Sequence, residues 1–144
     1  MAIQTISKVH SPIVMNSWQF PSSPGSIAEI EQLVAYLASK FKISEDKYPN
    51  ILISLTEAVN NAIIHGNHCD ECKCVHVHLE ENPHGLTLVV RDEGCGFDPE
   101  TVKDPTLPEN IANSGGRGIF LIKQLCDRVY YEANGTEVKM SFDF

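Results

Sequence analysis

Apolar residues recur at helical spacing early in the chain. Ile27, Ile30, Leu33, Val34, Leu37 and Phe41 form one stripe, which predicts a helix from Ser26 to about Phe41. The preceding Pro21-Ser22-Ser23-Pro24-Gly25 breaks the chain, and Ser26 has a side chain suited to an N-cap. A second stripe, Tyr48, Ile51, Leu55, Val59 and Ala62, predicts a helix announced by Ser44 and acidic Glu45-Asp46 and reaching about His65. Pro49 marks the start of its regular part, because proline is tolerated in a first turn and not in an interior one. Gly66 ends it. Glu57, Asn61 and Ile64 fall on the side opposite the stripe.

From Lys73 the period changes to two. Cys74 to Leu79 alternates, Asn82-Pro83-His84-Gly85 turns the chain, and Leu86 to Arg91 continues as the second strand of a hairpin. Residues 98–113 carry Pro99, Pro105 and Pro108 among polar residues and read as a loop or lid. Gly115, Gly116 and Gly118 follow, then a helix over Ile119 to Asp127. Val129 to Ala133, the turn Asn134-Gly135 and Thr136 to Phe144 make a closing hairpin. Residues 3–20 mix β-branched and polar residues, end in Trp18-Gln19-Phe20, and suggest an extended edge strand.

At 144 residues, 42% hydrophobic and 21% charged, residues 1–144 are expected to form one domain with a core of its own. No apolar run approaches the roughly 20 residues needed to cross a bilayer, and MAIQTISKVHSP lacks a secretory layout, so a cytoplasmic protein without membrane contact is expected. A formal charge of -8 argues against direct nucleic-acid binding, which draws its affinity from lysine and arginine. Cys69, Cys72, Cys74, Cys95 and Cys126 are odd in number, which favours free thiols in a reducing compartment.

Three segments carry chemistry. In EAVNNAIIHGN, Glu57 and Asn61 are four apart and project from one side of a helix. The amide oxygen of Asn61 together with phosphate oxygens could hold magnesium, while Glu57 orients or deprotonates an attacking hydroxyl or water. In RDEGCGF, Asp92 stands where a buried strand emerges. Its carboxylate could accept the exocyclic amino hydrogen of adenine, with Gly94 and Gly96 allowing close approach. In SGGRGIFLIK, the glycines open a helix whose amides could face phosphates, with Arg117 adding a charged contact. Each has a plainer reading by itself: a solvated polar face, a tight turn capped by its Asp, a glycine-rich helix start. Leu121 occupies the third glycine position of GxGxxG, no GxxxxGK[ST] string exists, and the alternating oxygens of a calcium loop are missing.

In this order the segments resemble the N-box and the two glycine boxes of the GHKL superfamily of gyrase, Hsp90, histidine kinases and MutL. From about Ser17 onward the chain is also similar to the stand-alone anti-sigma factor serine/threonine kinases. The resemblance implies a Bergerat, histidine-kinase-like ATPase fold: an α/β (α+β two-layer) sandwich with a mixed, mostly antiparallel sheet covered on one face by helices. It implies Glu57 as catalytic base, Asn61 as magnesium ligand and Asp92 as adenine contact. Gly94, Gly96 and Phe97 would line the adenine pocket, and Gly115, Gly116 and Gly118 a lid over about 98–118. Asn60, His65, Arg117 and Ile119 would be pocket neighbours. ATP and magnesium are the implied cofactors. An anti-sigma factor antagonist, as protein substrate, and a sigma factor are the implied partners, with a homodimer as the assembly. No helical hairpin with a phospho-acceptor histidine precedes the domain, so a stand-alone role is expected.

Two other readings compete. One is a nucleotide-dependent regulator that sequesters a partner without phosphorylating it. The other is a zinc-stabilised interaction domain built on His65, His68, Cys69, Cys72, Cys74, His76 and His78, where Cys69-x-x-Cys72 has ligand spacing but lacks a clean second pair.

Overall fold

A central antiparallel sheet carries every described strand. The computed structural model describes the backbone of residues 16–94 and 114–144, and the side chains of all of these but 114–116. The elements are β1 (Asn16–Pro21), α1 (Ser26–Lys40), α2 (Tyr48–Asn61), a π-helical turn (Ala62–Gly66), β2 (Cys74–Asn82), β3 (Gly85–Arg91), α3 (Ser114–Leu125), β4 (Arg128–Glu132), a 3-10 turn (Ala133–Gly135) and β5 (Glu137–Asp143). The strands lie in the order β1-β2-β3-β5-β4. All four pairings are antiparallel, so the mixed sheet expected from the resemblance has no parallel pair among the described residues.

Strand alternation puts one face of the sheet against the helices. Val75, Val77 and Leu79 of β2, Leu86, Leu88 and Val90 of β3, and Val138, Met140 and Phe142 of β5 are buried. Val77 lies opposite Val90, Leu88 opposite Met140, and Val90 opposite Val138, so apolar side chains stack across the strands. Ile30, Leu33, Val34 and Leu37 of α1, Ile51, Leu55, Ala58 and Val59 of α2, and Ile122 of α3 close the core from the helical side. The other face of the sheet carries polar residues such as Gln19, His76, His78, Arg91 and Lys139.

Helix boundaries differ from expectation for identifiable reasons. Ser26 is not the N-cap. It is the first helical residue, and its buried hydroxyl donates to the Pro21 carbonyl at 2.8 Å, fastening α1 to the end of β1. Ser44 closes a turn ahead of α2, accepting from the Lys47 and Tyr48 amides, and Pro49 falls in the first turn of α2, where its missing N–H costs nothing. The α-helical part of α2 ends at Asn61 and passes into the π-turn, in which the Asn67 amide donates to Ala62, five residues back.

The glycines read as preceding a helix are inside it. α3 begins at Ser114 and ends at Leu125, two residues short of the expected end, and Gly118 is in its second turn. Each glycine in a helix costs roughly 1 kcal/mol relative to alanine, and at position 118 the close neighbour described below accounts for it. Of the N-terminal segment, Asn16–Pro21 is the strand; residues 3–15 and the lid residues 98–113, with Cys95, Gly96 and Phe97, lie outside the described residues. The closing turn uses Ala133, Asn134 and Gly135, all at positive φ, instead of Asn134-Gly135 alone.

Leu55 is fully buried and Ile53, on the same helix, is 40% exposed. Leu55→Ala is expected to lower unfolding free energy by about 2–5 kcal/mol in urea titrations. Ile53→Ala should stay within about 0.5 kcal/mol of the parent.

Candidate functional site

The apolar stripe of α2 turns Ile51, Leu55 and Val59 into the core, which leaves Glu57, Asn60 and Asn61 half-buried away from it. α3 crosses this polar side. A Cβ built on Gly118 would lie 2.8 Å from Glu57 Oε1, 3.1 Å from Asn61 Nδ2 and 3.3 Å from Asn61 Oδ1. The backbone of α3 therefore rests directly on the two polar side chains, and any residue but glycine would push them aside. Ile119, 7% exposed, anchors that turn of α3, while neighbouring Arg117 is exposed. Gly115 and Gly116 belong to the helix's opening turns.

A second convergence lies past the C-terminal end of α2, at the close of the π-turn. Asp92 leaves β3 with its N–H donating to the Thr136 carbonyl at 2.9 Å, and its Oδ1 accepts the Gly94 N–H at 2.8 Å. Its carboxylate lies against Gly66, where a Cβ would collide with Asp92 Cγ and Oδ2. A Cβ on Gly94 would in turn collide with the Gly66 carbonyl. Gly66 is nine residues beyond Glu57, about 13 Å along a helix. The last turn of α2 and the π-turn thus form one wall, with Glu57 at one end, Asp92 at the other and Asn61 between them. Burial raises the Asp92 carboxyl above its ordinary range, outweighing the Gly94 amide and the charges of Lys73, Arg91 and His68.

Residues 20–142 match the histidine kinase-like ATPase domain. The chain belongs to that family. The GHKL resemblance drawn from the three glycine- and acid-bearing segments therefore holds over nearly the whole described chain. Similar proteins include Serine-protein kinase RsbW of Staphylococcus aureus strains JH9, Newman and USA300. Each is 29% identical over 129 residues, covering 84% of this chain and 81% of the relative.

Within this ATPase domain the structure brings Glu57, Asn61 and Gly118 together, and Asp92 with Gly66 and Gly94. His65, exposed in the π-turn, is close in sequence to the second group. The sequence reading has Gly66 only as the end of the helix and gives Asn67 no part. Asn67 is fully buried. Its Nδ2 donates to Ser22 Oγ at 2.9 Å and to the Cys74 carbonyl at 3.1 Å, and its Oδ1 accepts the Glu93 N–H at 2.7 Å. The Ser22 hydroxyl donates a hydrogen bond to the Lys73 carbonyl at 2.7 Å, which leaves its oxygen an acceptor for Asn67 and fixes which way the amide faces.

The cysteine- and histidine-rich stretch disperses. Among the described residues no group of three or more His, Cys, Asp or Glu gathers to hold a metal ion. Cys69, Cys72 and Cys74 are free thiols. His76 pairs with Glu93 at 2.8 Å, and His78 meets Ser17 at 2.9 Å, both on the polar face of the sheet. Among the described residues no helix is long and apolar enough to cross a membrane.

The buried Asp92 gives a testable pH dependence. Its folded value lies above the unfolded one, so the stability it contributes is complete below the ordinary carboxylate range and is lost as pH rises through the folded value. Asp92→Asn removes that loss. Without nucleotide, the melting temperature of the variant relative to the parent is expected to rise across that window and to stay level or higher at pH 7. An advantage that grows toward acid would contradict the assignment.

Proposed function

We propose that this chain is an ATP- and magnesium-dependent serine/threonine protein kinase of the anti-sigma factor type. It transfers the γ-phosphoryl group to a serine or threonine of an antagonist protein, and it sequesters a sigma factor until the unphosphorylated antagonist competes for it. The observation that carries this reading is the shared wall of α2: Gly118 backbone over Glu57 and Asn61 at one end, a glycine-walled carboxylate at the other. The family and the serine-protein kinase relatives give the reading its direction. A cytoplasmic homodimer belongs to the same reading.

The residues fit the groups they would hold. Asp92 would offer its carboxylate to the exocyclic amino group of adenine from a turn packed closely against Gly66 and Gly94. Asn61 offers a neutral amide oxygen, a hard ligand suited to magnesium completed by phosphate oxygens. When bound, the ion neutralises charge on the phosphates. Glu57 holds the acceptor hydroxyl and takes its proton as that oxygen attacks the γ-phosphorus. The bond from phosphorus to the β,γ-bridging oxygen breaks and ADP leaves. The α3 helix, seated on Glu57 and Asn61, excludes bulk water from that end.

Calorimetry with ATP and magnesium is expected to give micromolar-range binding. Asp92→Asn should weaken it at least about tenfold, and Asn61→Ala should make it insensitive to magnesium. Glu57→Gln is expected to cut transfer of labelled γ-phosphate to the antagonist by about a hundredfold or more. Transfer by Glu57→Gln at the parent rate would remove Glu57 from the chemistry. Nucleotide binding with no transfer to any antagonist would favour the sequestering regulator.

A further inference from the structure

We propose that Asn67 is the positioning residue for nucleobase selectivity: its buried amide fixes the peptide after Asp92 and so aims that carboxylate from the helix that carries Glu57 and Asn61. The proposal rests on the nucleotide reading above and adds to it a residue that touches no substrate.

Two peptides flank Asp92, and both are held. The one before it is held by the Asp92 N–H bond to the Thr136 carbonyl, and the one after it by the Glu93 N–H bond to Asn67 Oδ1. With both peptides fixed, the direction of the Asp92 Cα–Cβ bond is set. The Gly94 N–H then selects which oxygen is engaged, and Oδ2 is left facing Gly66. Of the hydrogen bonds that hold this turn from other elements, the one from Asn67 comes from a side chain of the α2 wall. It therefore ties the position of Asp92 to the position of Glu57 and Asn61.

The π-turn is what brings the amide inward. The Asn67 N–H reaches back to Ala62 and the Cys69 N–H to Ile63, so an extra residue is accommodated before the chain leaves the helix. Asn67 then meets three separate segments: the turn after β1 at Ser22, the start of β2 at Cys74, and the turn after β3 at Glu93. Both Nδ2 protons and Oδ1 are used, in a site fully shut from solvent. A buried amide satisfied on every side is rigid, because any rotation leaves a donor or acceptor unpaired.

Selectivity is where this rigidity would be read. Adenine presents an amino group at its six-position, which donates to a carboxylate, whereas hypoxanthine presents a carbonyl oxygen there, which the carboxylate repels. Discrimination of this kind depends on polar groups held in place, and a displacement of about 1 Å is enough to relax it. ATP and ITP differ at that position while sharing the triphosphate, so their affinity ratio isolates the aim of Asp92 from the phosphate end.

The test compares Asn67→Ala with Ser22→Ala. The second removes a partner of the amide and costs stability but keeps the bond to Glu93. Asn67→Ala is expected to lower the ATP-to-ITP affinity ratio at least about tenfold while leaving ITP affinity within about threefold of the parent; Ser22→Ala should keep the ratio within about threefold. Carbon-detected titration of the Asp92 carboxyl should move toward the ordinary range in Asn67→Ala and stay in place in Ser22→Ala. In the parent, a through-hydrogen-bond coupling between the Glu93 nitrogen and Asn67 Cγ is expected, a readout that needs no variant to fold. Absence of that coupling, an unchanged ratio in Asn67→Ala, or equal losses in both variants would overturn the proposal. A parent that binds neither nucleotide would remove the kinase reading and the selectivity with it. The Asp92 titration in the same variants would still show whether Asn67 holds that carboxyl.

Discussion

Three glycines press against neighbours so closely that a side chain on any of them would have to move what it meets. Gly118 of α3 lies on Glu57 and Asn61, Gly66 at the end of the π-turn lies against Asp92, and Gly94 lies against the Gly66 carbonyl. An alanine at any of these would have to displace the Glu57 or Asp92 side chain or another backbone. The close packing around the end of α2 therefore depends on missing methyl groups as much as on the residues present. It can exist only if helix, strand end and second helix are held at fixed separation.

That separation is set by the core. The buried stripe of α2 packs on alternating residues of β2, β3 and β5, and α3 is drawn in by Ile119 and Ile122. Apolar burial, worth about 25 cal/mol per Å2, is non-directional and places elements only to within side-chain packing. The finer placement at the Asp92 end comes from directional hydrogen bonds, those of buried Asn67 and of half-buried Thr136 and Gly94. Such a site opposes stability: Asp92 holds a carboxylate in a partly desolvated place that favours its protonated form. The packing of the sheet and helices offsets that cost.

The strand pairs and the helical stripes were legible in the sequence because each has a periodicity, two for Cys74 to Leu79 and three to four for Ile51 to Ala62. Glu57 and Asn61 were legible for the same reason, since the stripe that buries Leu55 dictates the side they occupy. The glycines of α3 were misread as lying outside the helix. Propensity counts glycine against a helix, and only contact with Glu57 and Asn61 explains its presence in one. The π-turn has too few residues to leave a period. Asn67 could not be read at all, because its partners Ser22 and Glu93 are 45 and 26 positions away and its role exists only in the folded chain. The family resemblance supplied the fold and pointed to the candidate residues Glu57, Asn61 and Asp92, and the connection between them exists only in the folded chain.

The central claim is that the glycine-bearing wall of α2 and its π-turn receives a nucleotide. Backbone amide shifts recorded during titration with ATP and magnesium test it most directly. The account predicts the largest changes at Gly66, Asn67, Asp92 to Gly94, and Gly118 to Ile119, with the polar sheet face of Ser17, Gln19 and His78 unmoved. Changes confined to that sheet face, or none at saturating nucleotide, would contradict it.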